Sequence, residues 1–200
     1  ILNLASRLTV SHSMFIANQA VGGTGGGSAR GGGIDTTNGS TATIIDSTFN
    51  GNQAIAGDGG VGQGFGRGGG LYNTAGTVTV ENSTFLGNLA RGASNTTRGG
   101  VVVALAGGAG LFNAAEGILL VTGSTFTGNQ ALAGSNNTST GGIGFIGSAI
   151  GGGLTNVGTA TITDSLFEDN EARGGSGNRG DGISFQFVGT GIGGGIGTFA

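Results

Sequence analysis

Apolar residues alternate with their neighbours at a period of two in five short runs: Leu8 and Val10, Ala42 and Ile44, Val78 and Val80, Leu119 and Val121, Ala160 and Ile162. This is the mark of a strand with one face in a core. Three residues after each run comes a Ser (Ser13, Ser47, Ser83, Ser124, Ser165), and two after that a Phe. The phrase F-x-x-N follows each time, from Phe15 to Asn18, Phe49 to Asn52, Phe85 to Asn88, Phe126 to Asn129 and Phe167 to Asn170, with an Ala two residues beyond every Asn. A second phrase alternates with it: GGG, or GAG in one copy, precedes Ile34, Leu71, Leu111, Leu154 and Ile196.

Self-similarity at this period is the signature of a solenoid. Strands are predicted around T-x-T-V, S-T-F and G-G-G-L, with no hairpin signals between them, so each repeat closes into a coil whose next turn stacks on it in parallel. The expected fold is all-β: a parallel β-helix of about five coils of three strands, one domain over 1–200, with repeats at about 1–33, 34–70, 71–110, 111–153 and 154–196. Stacked about 4.8 Å apart, like residues then form ladders of Phe on Phe inside and Asn on Asn in a turn. A second Asn column is expected at Asn73, Asn113 and Asn156, with Asn3 in phase.

The stretch from each Ala to the next Gly phrase holds 10, 13, 17, 19 and then 20 residues. Its later versions contain apolar runs, Val101 to Val103 with Leu105, Phe145-Ile146, and Phe185 alternating with Phe187. These predict an added strand on a widening, Gly-rich flange, either a second small core or a docking surface.

Composition sharpens the picture. Gly accounts for 50 of 200 residues and only 8% are charged, but 36% are apolar at fixed offsets, which a disordered linker does not require. Cys, Pro, Trp and Lys are absent, which excludes disulfides and Cys-based metal sites. A net charge of −3 without a basic run leaves no footprint for nucleic acid. Neither a transmembrane segment nor an N-terminal targeting signal is evident. The chain starts in phase with the repeat and spans five of them without a polar cap at either end. Coils are therefore expected to continue in a longer protein or to join copies end to end.

Alternation of F-x-x-N with GGG[IL] or GAGL resembles the repeats of the chlamydial polymorphic membrane proteins and related bacterial surface β-helix proteins, over the whole chain. The third Gly stands where that family has Ala, and no Cys or β-barrel segment is present. The resemblance implies a right-handed helix and a secreted, cell-surface protein that adheres or forms a surface layer.

Candidate chemistry is sparse. Asp46 and Asp164 share a column but lie three coils apart, and Glu168, Asp169 and Glu171 cluster at one turn, the pattern of a solvated edge. His12 is the single His and shares its column with Asp46 and Asn82. Gly57-x-Gly59-x-x-Gly62 lacks the βαβ context of a dinucleotide site, and the GGxG runs at Gly59 and Gly174 lack the Asp a calcium repeat needs. Arg179-Gly180-Asp181 is an integrin-type tripeptide in a Gly-rich loop. Sequons at Asn38, Asn95, Asn136 and Asn137 fall in loops and are candidate glycosylation sites.

The expected function is a non-catalytic extracellular structural or adhesive protein without a cofactor. Its partners would be itself, end to end, or a neighbouring cell surface or glycan. Two alternatives compete: a polysaccharide-active enzyme, and an ice-binding solenoid using the paired Thr41/Thr43, Thr77/Thr79 and Thr159/Thr161, a file broken at Ile118 and Leu120.

Overall fold

The computed structural model describes residues 1–99, 102–140, 144–180 and 186–198. Within them there is no helix, hence none long and apolar enough to cross a membrane, and every strand pairs in parallel with its counterpart one coil away. The three strands expected in each coil form three sheets. Sheet A takes Leu2–Leu4, Ile34–Thr37, Leu71–Thr74, Leu111–Asn113, Leu154–Asn156 and Ile196–Thr198. Sheet B takes Arg7–Ser11, Thr41–Ile45, Thr77–Glu81, Ile118–Thr122 and Thr159–Thr163. Sheet C runs from Met14–Ile16 through Thr84–Leu86 to Leu166–Glu168.

Two further short strands complete each coil. Sheet D is built on the Ala column, from Gln19–Val21 through Leu89–Arg91 to Glu171–Arg173. Sheet E has two residues per coil, from Ala29–Arg30 and Gly66–Arg67 through Ala106–Gly107 to Ala149–Ile150 and Gly191–Ile192. Strands this short, bounded by Gly, have no room to show a period, which is why only tertiary pairing reveals them. Sheets D and E enclose a thin layer of Ala90, Ala106, Ala109, Ala131 and Ala149. The main core lies between sheets A, B and C, where Ile34, Leu71, Leu111, Leu154 and the Phe column meet.

The ladders follow from register. Phe15, Phe49, Phe85, Phe126 and Phe167 stack with ring centroids 4.6 Å apart and planes within 2–4° of parallel. Asn18, Asn52, Asn88, Asn129 and Asn170 form a continuous amide chain. Asn52 shows the pattern: its Oδ1 accepts from the backbone N–H and Nδ2 of Asn18, while its own Nδ2 donates to Asn88 Oδ1 and to the carbonyl of Phe15, all at 2.8–3.1 Å. From Ser47 onward each Ser Oγ of the column accepts the N–H of the Ser one coil earlier, as Ser83 does from Ser47 at 3.1 Å, and donates to the carbonyl two residues back. In the second Asn column Asn73 donates to Asn113 and Asn113 to Asn156, each at 2.7 Å.

The third Gly of each Gly phrase also follows from stacking. A Cβ on Gly33, Gly70, Gly110 or Gly153 would lie 2.5–2.7 Å from a carbonyl oxygen of the next coil and against a ring of the Phe ladder. There is no room for Ala at this position.

The growing insertions form a flange. Sheet F pairs Thr97–Arg98 with Thr138–Ser139, and sheet G stacks Val102–Val103, Gly144–Ile146 and Gln186–Val188. Both begin only at the third coil, where the insertion first becomes long enough. Of the flange residues singled out in the sequence, Val101 and Phe185 lie outside the described residues, as does Asp181 of the Arg-Gly-Asp tripeptide.

Candidate ligand-binding cleft

Several residues singled out as candidate chemistry occupy positions that the backbone explains. His12, Asp46, Asn82, Gly123 and Asp164 all have φ between 47° and 59°. This left-handed conformation at the turn into sheet C favours Gly, Asn and Asp, so the polar column is a turn requirement. Asp169, at φ 52°, occupies the corresponding turn after sheet C, where Gly51, Gly87 and Gly128 stand in the middle coils. Glu171 pairs with Arg173 at 3.3 Å, and exposed His12 lies 3.5 Å from Asp46. In the paired strands no two carboxylates meet across adjacent coils.

The outward threonines form two files on sheet B: Arg7, Thr41, Thr77, Ile118, Thr159 and Thr9, Thr43, Thr79, Leu120, Thr161. Exposed Ile118 and Leu120 interrupt both files in the fourth coil.

The sequons divide. Asn38, Asn95 and Asn136 are exposed at turns with φ of 57–59°. Asn137, counted among the loop asparagines, is fully buried, and this corrects its assignment as a glycan acceptor. Its Oδ1 accepts from the N–H and hydroxyl of Thr96, and its Nδ2 donates to Asn178 Oδ1 at 2.9 Å. It belongs to a third ladder, under the flange.

A concave feature among the described residues involves none of these side chains. Sheet A's outward column reads Leu2, Asp35, Tyr72, Phe112, Thr155, and a solvated strand face would hold polar residues there throughout. Tyr72 and Phe112 instead stack on each other, centroids 5.5 Å apart, and are almost completely buried. Arg30 of sheet E lies over Tyr72 and Arg67 over Phe112. Phe65 and Leu105, each just before a sheet E strand, and Ile150 within one form a satellite cluster with Phe145 packed on it, across an inside corner from sheet A. Gly107 sits at that corner, where a Cβ would press to 2.9 Å from the Phe112 ring.

Two cavities open along the corner. The larger, about 520 Å³, lies between Phe112 and Ala114 on the sheet A side and Leu105 and Phe145 on the flange side, with Glu116 at its rim. The smaller, about 290 Å³, reaches toward Ser28, Arg30 and Gln63. Arg67 and Tyr72 line both.

Arg67 is the electrostatic centre of this corner. Its guanidinium lies 4.0 Å over the Phe65 ring and 5.2 Å from that of Phe112, so stacking on two aromatic faces holds it in place. Burial pushes its pKa down; the Tyr72 hydroxyl beside it opposes that, and neighbouring Arg30 adds to it. An arginine so placed still stays cationic at neutral pH. Its Nε is buried without a partner among the described residues, and no carboxylate pairs with it. Arg30, by contrast, has Asp35 at 3.5 Å and stacks over Tyr72 at 5.3 Å. Burial raises the Asp35 pKa above its ordinary 3.8, against the pull of Arg30, and leaves Asp35 Oδ1 without a partner among the described residues.

The cleft residues escaped the sequence reading, although a signal existed: Tyr72 and Phe112 directly follow the inward anchors Leu71 and Leu111, so period-two alternation turns them outward. An aromatic there implies a cover. Neither a protein-family model nor a curated protein sequence matches the chain.

Proposed function

We propose that this chain is a non-catalytic structural or adhesive element of an extracellular surface, whose end coils join further coils head to tail, in one long solenoid or between copies. The observation that carries the reading is the complementarity of the two end faces. Among the described residues nothing donates to Asn18 Oδ1, while at the other end Asn170 donates only to the Phe126 carbonyl. One face thus offers an acceptor where the other offers a donor. The apolar residues of both end coils, Leu8, Phe15, Ala160, Ile162 and Phe167, are only partly buried, each having a stacking neighbour on one side. Unpaired strand edges of this kind favour addition of a matching coil.

An extracellular setting, and adhesion to a neighbouring cell or glycan, rest on the resemblance of the repeats to those of bacterial surface β-helix proteins. The carboxylates held in turns and ion pairs do not favour the enzyme alternative, and the interrupted Thr files do not favour ice binding.

Electron microscopy of the untagged chain at several concentrations tests the stacking. Filaments with an axial repeat near 24 Å, about five coils at the strand spacing, are expected, and Phe167→Glu should shorten or abolish them. A monodisperse monomer at the highest concentrations, with its end coils as slow in amide exchange as the middle ones, would exclude the proposal.

A further inference from the structure

We infer that the cleft between sheet A and the flange binds a small organic monocarboxylate with an apolar, ring-bearing body, its carboxylate directed at Arg67. This site is separate from the end faces and does not depend on stacking.

Three features select that chemistry. The first is charge: Arg67 lines both cavities and, among the described residues, has an unpartnered buried Nε and pairs with no carboxylate, so an incoming anion would relieve a desolvated cation. The second is the wall. Phe112 on one side and Leu105 with Phe145 on the other present carbon over most of the larger cavity, and a flat apolar ring fills such a space with little loss of hydrogen bonding. A glycan chain or peptide strand would bring many hydroxyls or amides to walls that offer few partners, each unpaired group costing free energy. The third is polarity along the cleft. Glu116 stands at the rim and Arg67 within, which disfavours a second negative charge at the outer end and sets the ligand's direction. A volume near 520 Å³ lies in the range of small-molecule sites.

The protein carries its own reporter, because Tyr72 is the only Tyr, there is no Trp, and Tyr72 lines the cleft. The experiment is a titration of the intact chain with 3-phenylpropionate, followed by tyrosine fluorescence, with uncharged 3-phenylpropionamide in parallel. Saturable binding of the acid is expected, with the amide about 10- to 100-fold weaker, the worth of one charge-assisted contact. Arg67→Gln should reduce the acid to the affinity of the amide, with its fold checked by circular dichroism. Should that variant fail to fold, Glu116→Gln at the exposed rim carries the test and should tighten the acid about two- to threefold while leaving the amide unchanged. Equal affinity for acid and amide, or no saturable change up to about 20 mM of either, would overturn the assignment. So would a Glu116→Gln variant indistinguishable from the parent.

Discussion

At the scale of single residues, the Asn ladder is the most heavily constrained feature. Asn88 has its side-chain amide and backbone N–H engaged with coils on both sides, and it is fully buried. Asn88→Ala removes its own bonds and strands those of Asn52, so a loss of about 2–4 kcal/mol is expected in urea denaturation. Asn18→Ala, with a neighbour on one side only, should cost about half as much; equal costs would mean that the ladder does not act through both faces. Asp35 makes a prediction of opposite sign. Its folded pKa is raised, chiefly by burial, so the stability it confers is fully present at acid pH, below its unfolded pKa, and is lost as pH rises through the folded value. Asp35→Asn should therefore raise the melting temperature at pH 7, and the difference should shrink toward zero below about pH 4, where the parent side chain is itself neutral. A difference independent of pH would place the effect in packing instead.

At the scale of elements, close approach between coils decides what each strand can carry. Gly70 illustrates it: an added methyl would meet the Gly110 carbonyl at 2.6 Å and the Phe85 ring at 2.9 Å. Gly70→Ala is expected to destabilise by about 1–3 kcal/mol through overpacking, whereas Gly23→Ala, with nothing within 4 Å, should be near neutral. A thermal-melt comparison of the two variants separates the steric account from a general effect of losing Gly. Sheets D and E obey the same rule, since their shared layer is so thin that Ala fills it. The flange is the exception, because its strands appear only from the third coil and pack against larger residues, Phe65, Leu105 and Ile150.

At the scale of the whole molecule, stability is close to a sum of coil-on-coil contacts, as in other solenoids. The middle coils gain from both sides and the end coils from one. Amide exchange at low concentration is expected to be slowest in Thr84–Leu86 and fastest in Met14–Ile16 and Leu166–Glu168. Raising the concentration into the filament range should slow the end coils selectively. Uniform exchange along the axis at all concentrations would contradict both the additive picture and end-to-end stacking.

The repeat, the three main strands and the Phe and Asn ladders were legible in the sequence because like stacks on like: a residue that must match its counterpart one coil away recurs as the same letter. The polar turn columns were visible too, but their meaning was not, since only the backbone shows that Asp46, Asp164 and Asp169 sit at positive φ. Asn137 read as a loop residue until its pairing with Thr96 and Asn178 placed it inside a ladder. The cleft was decided by tertiary structure alone. Phe65, Arg67, Tyr72, Leu105, Phe112 and Phe145 come from successive coils and from two differently oriented surfaces. No period in the chain links the outer face of sheet A to the flange; they meet because the chain turns an inside corner after sheet E and stacking repeats that corner from coil to coil.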